Sequence, residues 1–130
     1  MKQVQLAIRV AVLAGAATTS LSSATVYLVD RFDDPIPDAV CDPGIPNDCS
    51  LRDAVLAANL SVGQDSILLG EGTYTLSFAG ANELDGVTGD LNIKDALLVQ
   101  GAGQTLTIID AEGSGGLDDR VLHIATGIFA

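Results

Sequence analysis

The side chains that offer chemistry in this chain are mostly carboxylates. Asp85, Asp90, Asp95, Asp110, Asp118 and Asp119 punctuate the second half, Arg120 follows the last pair, and His123 is the only histidine. Such groups hold cations or move protons only where a fold brings several together. Asp118 and Asp119 are adjacent, so in a strand they point to opposite faces. They also follow Gly113-Ser114-Gly115-Gly116, a setting where Asp is common for conformational reasons. His123 has no nucleophile beside it in sequence and reads as structural. Residues 90–95 contain Lys94 and no glycine at the sixth position, which excludes an EF-hand. Gly101-Ala102-Gly103 lacks the third glycine of a dinucleotide loop and precedes a strand pattern, not a helix. No catalytic residue and no metal site is therefore assigned. The carboxylates suit weak binding of calcium from the medium, and no other cofactor is expected.

Charge narrows the partners. Seventeen acidic residues against six basic ones give a net charge of −11 in 130 residues. Phosphate recognition needs clustered Lys and Arg, so nucleic acid is excluded as a partner. The first 24 residues have the form of an export signal: Lys2 and Arg9, the apolar run of residues 10–17, then small residues up to Ser22-Ser23-Ala24. Ser22 and Ala24 suit the small pockets of a signal peptidase, which places cleavage after Ala24. The run is far shorter than the roughly 20 residues that span a bilayer, and no later stretch is a candidate. The expected location is therefore outside the cell or on its surface.

Export makes sense of the cysteines. Cys41 and Cys49 flank the turn-rich Asp42-Pro43-Gly44-Ile45-Pro46-Asn47-Asp48, and two cysteines in an oxidising compartment read as a disulfide. A metal site is the rival, but it needs two more thiol or imidazole ligands.

The elements that must position these groups begin with one helix over residues 50–60. Ser50 and Asp53 have capping-box spacing. Leu51, Ala54, Val55 and Ala58 fall at i, i+3, i+4 and i+7 and form the face expected to meet the core. Arg52 and Asn59 lie elsewhere on the wheel, and Asn59-Leu60-Ser61 is a sequon of little weight. Strand patterns occupy residues 25–30, 67–69, 73–78, 91–93, 97–100, 106–109 and 121–125. In residues 73–78 Tyr74, Leu76 and Phe78 share one face; in the last strand Leu122 and Ile124 oppose His123. Short strands, glycine turns and a single helix argue against a βαβ sheet and leave a sandwich or a parallel β-solenoid.

Cys49-Ser50-Leu51-Arg52-Asp53-Ala54-Val55-Leu56-Ala57-Ala58-Asn59 resembles the CSLREA N-terminal domain of bacterial secreted and surface proteins. Those proteins are of the right-handed parallel β-helix type, similar to the pectin-lyase-like superfamily and to polymorphic outer membrane proteins. The match continues through Asp65-Ser66-Ile67-Leu68-Leu69, Gly72-Thr73-Tyr74-Thr75-Leu76, Gly89-Asp90-Leu91 and Thr107-Ile108-Ile109-Asp110. Asp53 stands where the family usually has Glu and keeps the carboxylate.

The resemblance implies an all-β, right-handed parallel β-helix with an N-terminal amphipathic capping helix. Its parts are a signal peptide over residues 1–24, a cap over 25–64 and first rungs over 65–130. Two rungs and a piece are fewer than stability requires, so the chain reads as the leading part of a longer solenoid. The expected function is a non-enzymatic exported module for display, adhesion or glycan contact, with surface glycans or host and cell-surface proteins as partners. The alternative is the leading fragment of a polysaccharide lyase or hydrolase. Lyases of that fold hold Ca²⁺ on carboxylates and take a proton with a basic residue, roles open to Asp118, Asp119 and Arg120. Their sites are built from several consecutive rungs, more than this chain offers.

Overall fold

A computed structural model describes residues 23–80, 83–111 and 120–127. The apolar run of the expected leader, together with Asp118 and Asp119, lies outside the described residues. Strand β1 (Val26–Val29) leads through a long loop into helix α1 (Leu51–Leu60). Six short strands follow: β2 (Asp65–Leu69), β3 (Gly72–Thr75), β4 (Leu91–Ile93), β5 (Leu97–Gln100), β6 (Thr107–Asp110) and β7 (Leu122–Ile124).

All observed pairings are parallel, so each needs a crossover between its strands. The first sheet has the order β1-β2-β5, with Val26 beside Ser66 and Ser66 beside Leu98. Strand β3 pairs with β6, Tyr74 beside Ile109, and β4 pairs with β7, Asn92 beside His123. The crossover from β1 to β2 contains α1, which packs on β1, β2 and β4.

Leu51, Ala54, Val55 and Ala58 are all buried and join Val29, Ile67, Leu69, Tyr74, Leu76, Leu91 and Ile93 in one core. Alternation places these residues: Asp65, Ile67 and Leu69 of β2 are buried while Ser66 and Leu68 are only partly so. Each fully buried Leu, Val or Ile stabilises the fold by about 1.5–3 kcal/mol. Tyr74 and Leu76 are buried while Thr73 and Ser77 face out. The ring of Phe32 lies 5.0 Å from that of Tyr74 and covers it from the loop side.

The expectation of an all-β right-handed parallel β-helix is corrected. Among the described residues the strands form three small, separate parallel sheets of three, two and two strands. No sheet closes or runs on as a solenoid, and the fold is a small mixed domain in which a helix supplies one face of the core. The physical reason lies in strand length and facing. Strands of three to five residues bury at most three side chains each, none in β6 or β7, and the apolar residues of the last strands stay exposed. Leu98, Ile108, Leu122 and Ile124 are 44–51% exposed, so they add nothing to a common interior.

Candidate functional site

The residues around α1 are fixed by charges that the helical wheel assigns to solvent. Arg52 is fully buried. Its Nε and Nη2 donate to the two carboxylate oxygens of Asp34, at 2.8 and 2.9 Å. Nη1 donates to the carbonyl of Gly86 at 2.8 Å and Nη2 also to that of Gly89 at 3.0 Å. Both glycines have positive φ, 76° and 63°, which turns their carbonyls toward the guanidinium. A Cβ at Gly89 would meet the Gly80 backbone, so only glycine fits there. Asp34 Oδ2 also accepts from the amides of Ser77 and Phe78, both at 3.0 Å. One ion pair thus ties four separate segments together.

Asp53 does similar work one residue on. Ser50 is the N-cap, and its hydroxyl oxygen accepts from the Asp53 amide at 3.1 Å. The return bond is not to the Ser50 amide. Instead the Ser50 hydroxyl donates to Asp53 Oδ2 at 2.6 Å, and Asp53 Oδ1 accepts from the amides of Asp38 and Ala39. Those bonds hold Ala39 at φ 59°, a left-handed conformation that a non-glycine residue adopts at a cost. Cys41 and Cys49 are disulfide-bonded, with Cα atoms 4.5 Å apart, and close the same loop.

The dispersed carboxylates meet different fates. Asp90 is buried; its Oδ2 accepts from Arg120 Nε at 2.6 Å and its Oδ1 from Asn92 Nδ2 at 3.4 Å. Asn92 Oδ1 lies 2.7 Å from His123 Nδ1, and an amide oxygen can only accept, so Nδ1 donates in this contact. Glu83 Oε1 binds Asn92 Nδ2 and the Gly86 amide. So β4 and β7 bring Glu83, Asp90, Asn92, Arg120 and His123 into one polar cluster. Sequence reading isolates His123 because its partner stands 31 positions earlier; the parallel register of Asn92 beside His123 is the missing information.

Other candidates stay apart. Asp85 pairs with Lys94 at the exposed surface, and Asp95 accepts from the amide of Ala96. Asp110 is exposed on β6. The Asn59 side chain is engaged at both ends, donating to the Asn92 carbonyl and accepting from the Lys94 amide, so the sequon asparagine serves as a bridge to β4. Among the described residues no three His, Cys, Asp or Glu side chains gather as a metal would require. Among them, too, no helix is long and apolar enough to cross a membrane.

Three titratable groups show directed shifts, the Arg31 guanidinium being raised by its side-chain hydrogen bond to Asp33. The side-chain hydrogen bond from Arg31, at 2.7–2.8 Å, holds the exposed Asp33 carboxyl below its ordinary range. Burial raises the Tyr74 hydroxyl, opposed by its bond to the Gly70 carbonyl. A groove of about 410 Å³ runs along the outer side of α1, between Leu56, Leu60 and Val87 with Asp38 and Asp85 at its rim. No family model, curated protein or solved structure matches the chain.

Proposed function

We propose that the chain is a non-enzymatic exported module that makes contacts at a bacterial cell surface: display, adhesion or glycan contact. The observation that carries this reading is the engagement of the buried charges other than Asp65 among the described residues. Arg52, Asp34 and Asp53 bind backbone groups and one another, and both oxygens of Asp90 are occupied by Arg120 and Asn92. A carboxylate held in that way positions loops and has no lone pair aimed at a substrate. The leader is removed after Ala24, and the disulfide forms after export. The Cys49–Asn59 block supports kinship with CSLREA-type N-terminal domains of secreted and surface proteins.

The outer groove beside α1 offers a surface for uncharged glycans or for a protein. The test is to incubate the purified exported protein with a panel of surface glycans, and separately with polygalacturonate and Ca²⁺. Retention on glycan without change in it supports a contact module. Appearance of unsaturated products would overturn the reading in favour of a lyase fragment, with the cluster at Asn92, Arg120 and His123 as its first suspect.

A further inference from the structure

Asp65 is fully buried at the start of β2, and its Oδ2 is the one buried side-chain polar atom without a hydrogen-bond partner among the described residues. Its other oxygen, Oδ1, accepts from the backbone nitrogen of Thr25 at 2.7 Å. The Thr25 carbonyl is fixed in turn, accepting from the Ser66 amide at 2.8 Å. Thr25 is thereby docked against β2 immediately before β1, with its nitrogen aimed at a carboxylate that is only half satisfied. A buried carboxylate served by one neutral amide is poorly compensated, and each missing partner is costly.

Thr25 is also the residue that leader removal after Ala24 would expose as a new amino terminus. Hydrolysis of the Ala24–Thr25 bond consumes one water and leaves a carboxylate on Ala24 and an ammonium on Thr25, with no net proton released near neutral pH. The single N–H that now reaches Oδ1 becomes a group with three N–H bonds and a positive charge. We propose that Asp65 is the receptor for this α-ammonium, one proton going to Oδ1 and another to Oδ2, so that processing completes the fold with a buried ion pair. The two oxygens of one carboxylate lie close enough together for one ammonium to serve both, and charge-assisted bonds are about twice as strong as neutral ones. The leader-bearing chain lacks this pair and is the less stable form. That ordering suits a protein that must stay loosely folded until it has crossed a membrane.

The inference rests on the proposed export with removal after Ala24, and the two are separable by experiment. The mass of the exported protein reports where it begins: a start other than Thr25 overturns the cleavage premise. Independently, chains beginning at Thr25 and at Ala24 are prepared and unfolded in urea, each with Asp65 and with Asp65→Asn. The expected result is an unfolding constant at least about tenfold smaller for the Thr25 start, a difference that disappears with Asp65→Asn. Equal stability of the two starts, as a bound water at Oδ2 would produce, or an equal difference in both backgrounds, overturns the pairing. Should Asp65→Asn fail to fold, the carboxylate-carbon NMR resonance of Asp65 still decides. It shifts between the two starts if the ammonium docks, and an unchanged resonance sinks the proposal.

Discussion

The α1 side of the molecule and the β5–β7 side are made of similar residues and reach opposite outcomes. On the first, Ile67 of β2 is completely buried beneath Val55 and its neighbours, and even an arginine is sealed in. On the second, Ile108 of β6 is half exposed, and Leu122 and Ile124 of β7 are nearly so although they share a face with the buried Leu91 and Ile93, while His123 lies beside Asn92. The difference is coverage. Helix α1 packs on β1, β2 and β4, whereas β5, β6 and β7 each have substantial contact only with the strand they pair with. Alternation decides which residues share a face; whether that face is interior depends on what packs upon it.

The strongest way to break this comparison is to remove the buried cation. Arg52→Ala leaves the Asp34 carboxylate buried without its partner, which costs about 3–5 kcal/mol in similar settings. Urea unfolding is expected to show a loss of that order, and a loss below about 1 kcal/mol would mean the ion pair merely decorates a helix held by its apolar face.

A matched pair of truncations comes next. Ile67→Ala should destabilise by about 2–5 kcal/mol, since a cavity opens in a filled core. Ile108→Ala, at a half-exposed edge position, should stay within about 0.5 kcal/mol. Equal losses at the two sites would show that β6 is covered in solution by something beyond this fold.

Much of the covered side is legible in the sequence. The i, i+3, i+4, i+7 spacing of Leu51, Ala54, Val55 and Ala58 identifies the inward face of α1, and S-x-x-D marks its start. Arg52 is not legible, because a charged residue beside an apolar stripe is ordinarily solvated. Its partners stand 18 residues earlier and 34 and 37 residues later. The only local hint is the spacing of Gly86 and Gly89, which permits two carbonyls to converge. On β7 the apolar pattern selects the face that Leu122 and Ile124 share with the buried Leu91 and Ile93 of β4. Pairing with β4 and the Asn92–His123 contact set that register, and Leu122 and Ile124 stay exposed because the described residues lay little over β7 beyond β4. The solenoid expectation fails for a related reason: periodic apolar strands imply a shared interior only when enough of them stack.

Smaller effects sharpen the picture of the covered side. Reducing the Cys41–Cys49 bond, which closes a loop with a sequence separation of 8, should lower stability by about 2–3 kcal/mol. The comparison is between oxidised and reduced protein in urea, and mass spectrometry should first show the two cysteines linked. A smaller effect is expected from Tyr74→Phe, below about 1 kcal/mol near neutral pH, since its bond to Gly70 is long at 3.4 Å. Its signature lies at alkaline pH. Burial raises the hydroxyl above its ordinary value of 10.0, so the folded state keeps a proton that the unfolded chain releases. The stabilisation is complete below pH 10 and falls as pH rises through the folded value. Tyr74→Phe should flatten that decline, and an unaltered alkaline profile would place the titrating group elsewhere.

The loop that carries Cys41 has a second closure that involves no sulfur. The amides of Asp30 and Arg31 donate to the Cys49 carbonyl, and the Asp30 carboxylate accepts from the amides of Asn47 and Cys49. These four bonds join the two ends of the segment just before and just after the cystine turn. Once they form, Cys49 is anchored and Cys41 has only a short tether on which to wander. The local concentration of one thiol about the other is then set by that tether and not by the whole chain. Oxidation is thus templated by the fold: the covalent link records a loop geometry that hydrogen bonds have already chosen.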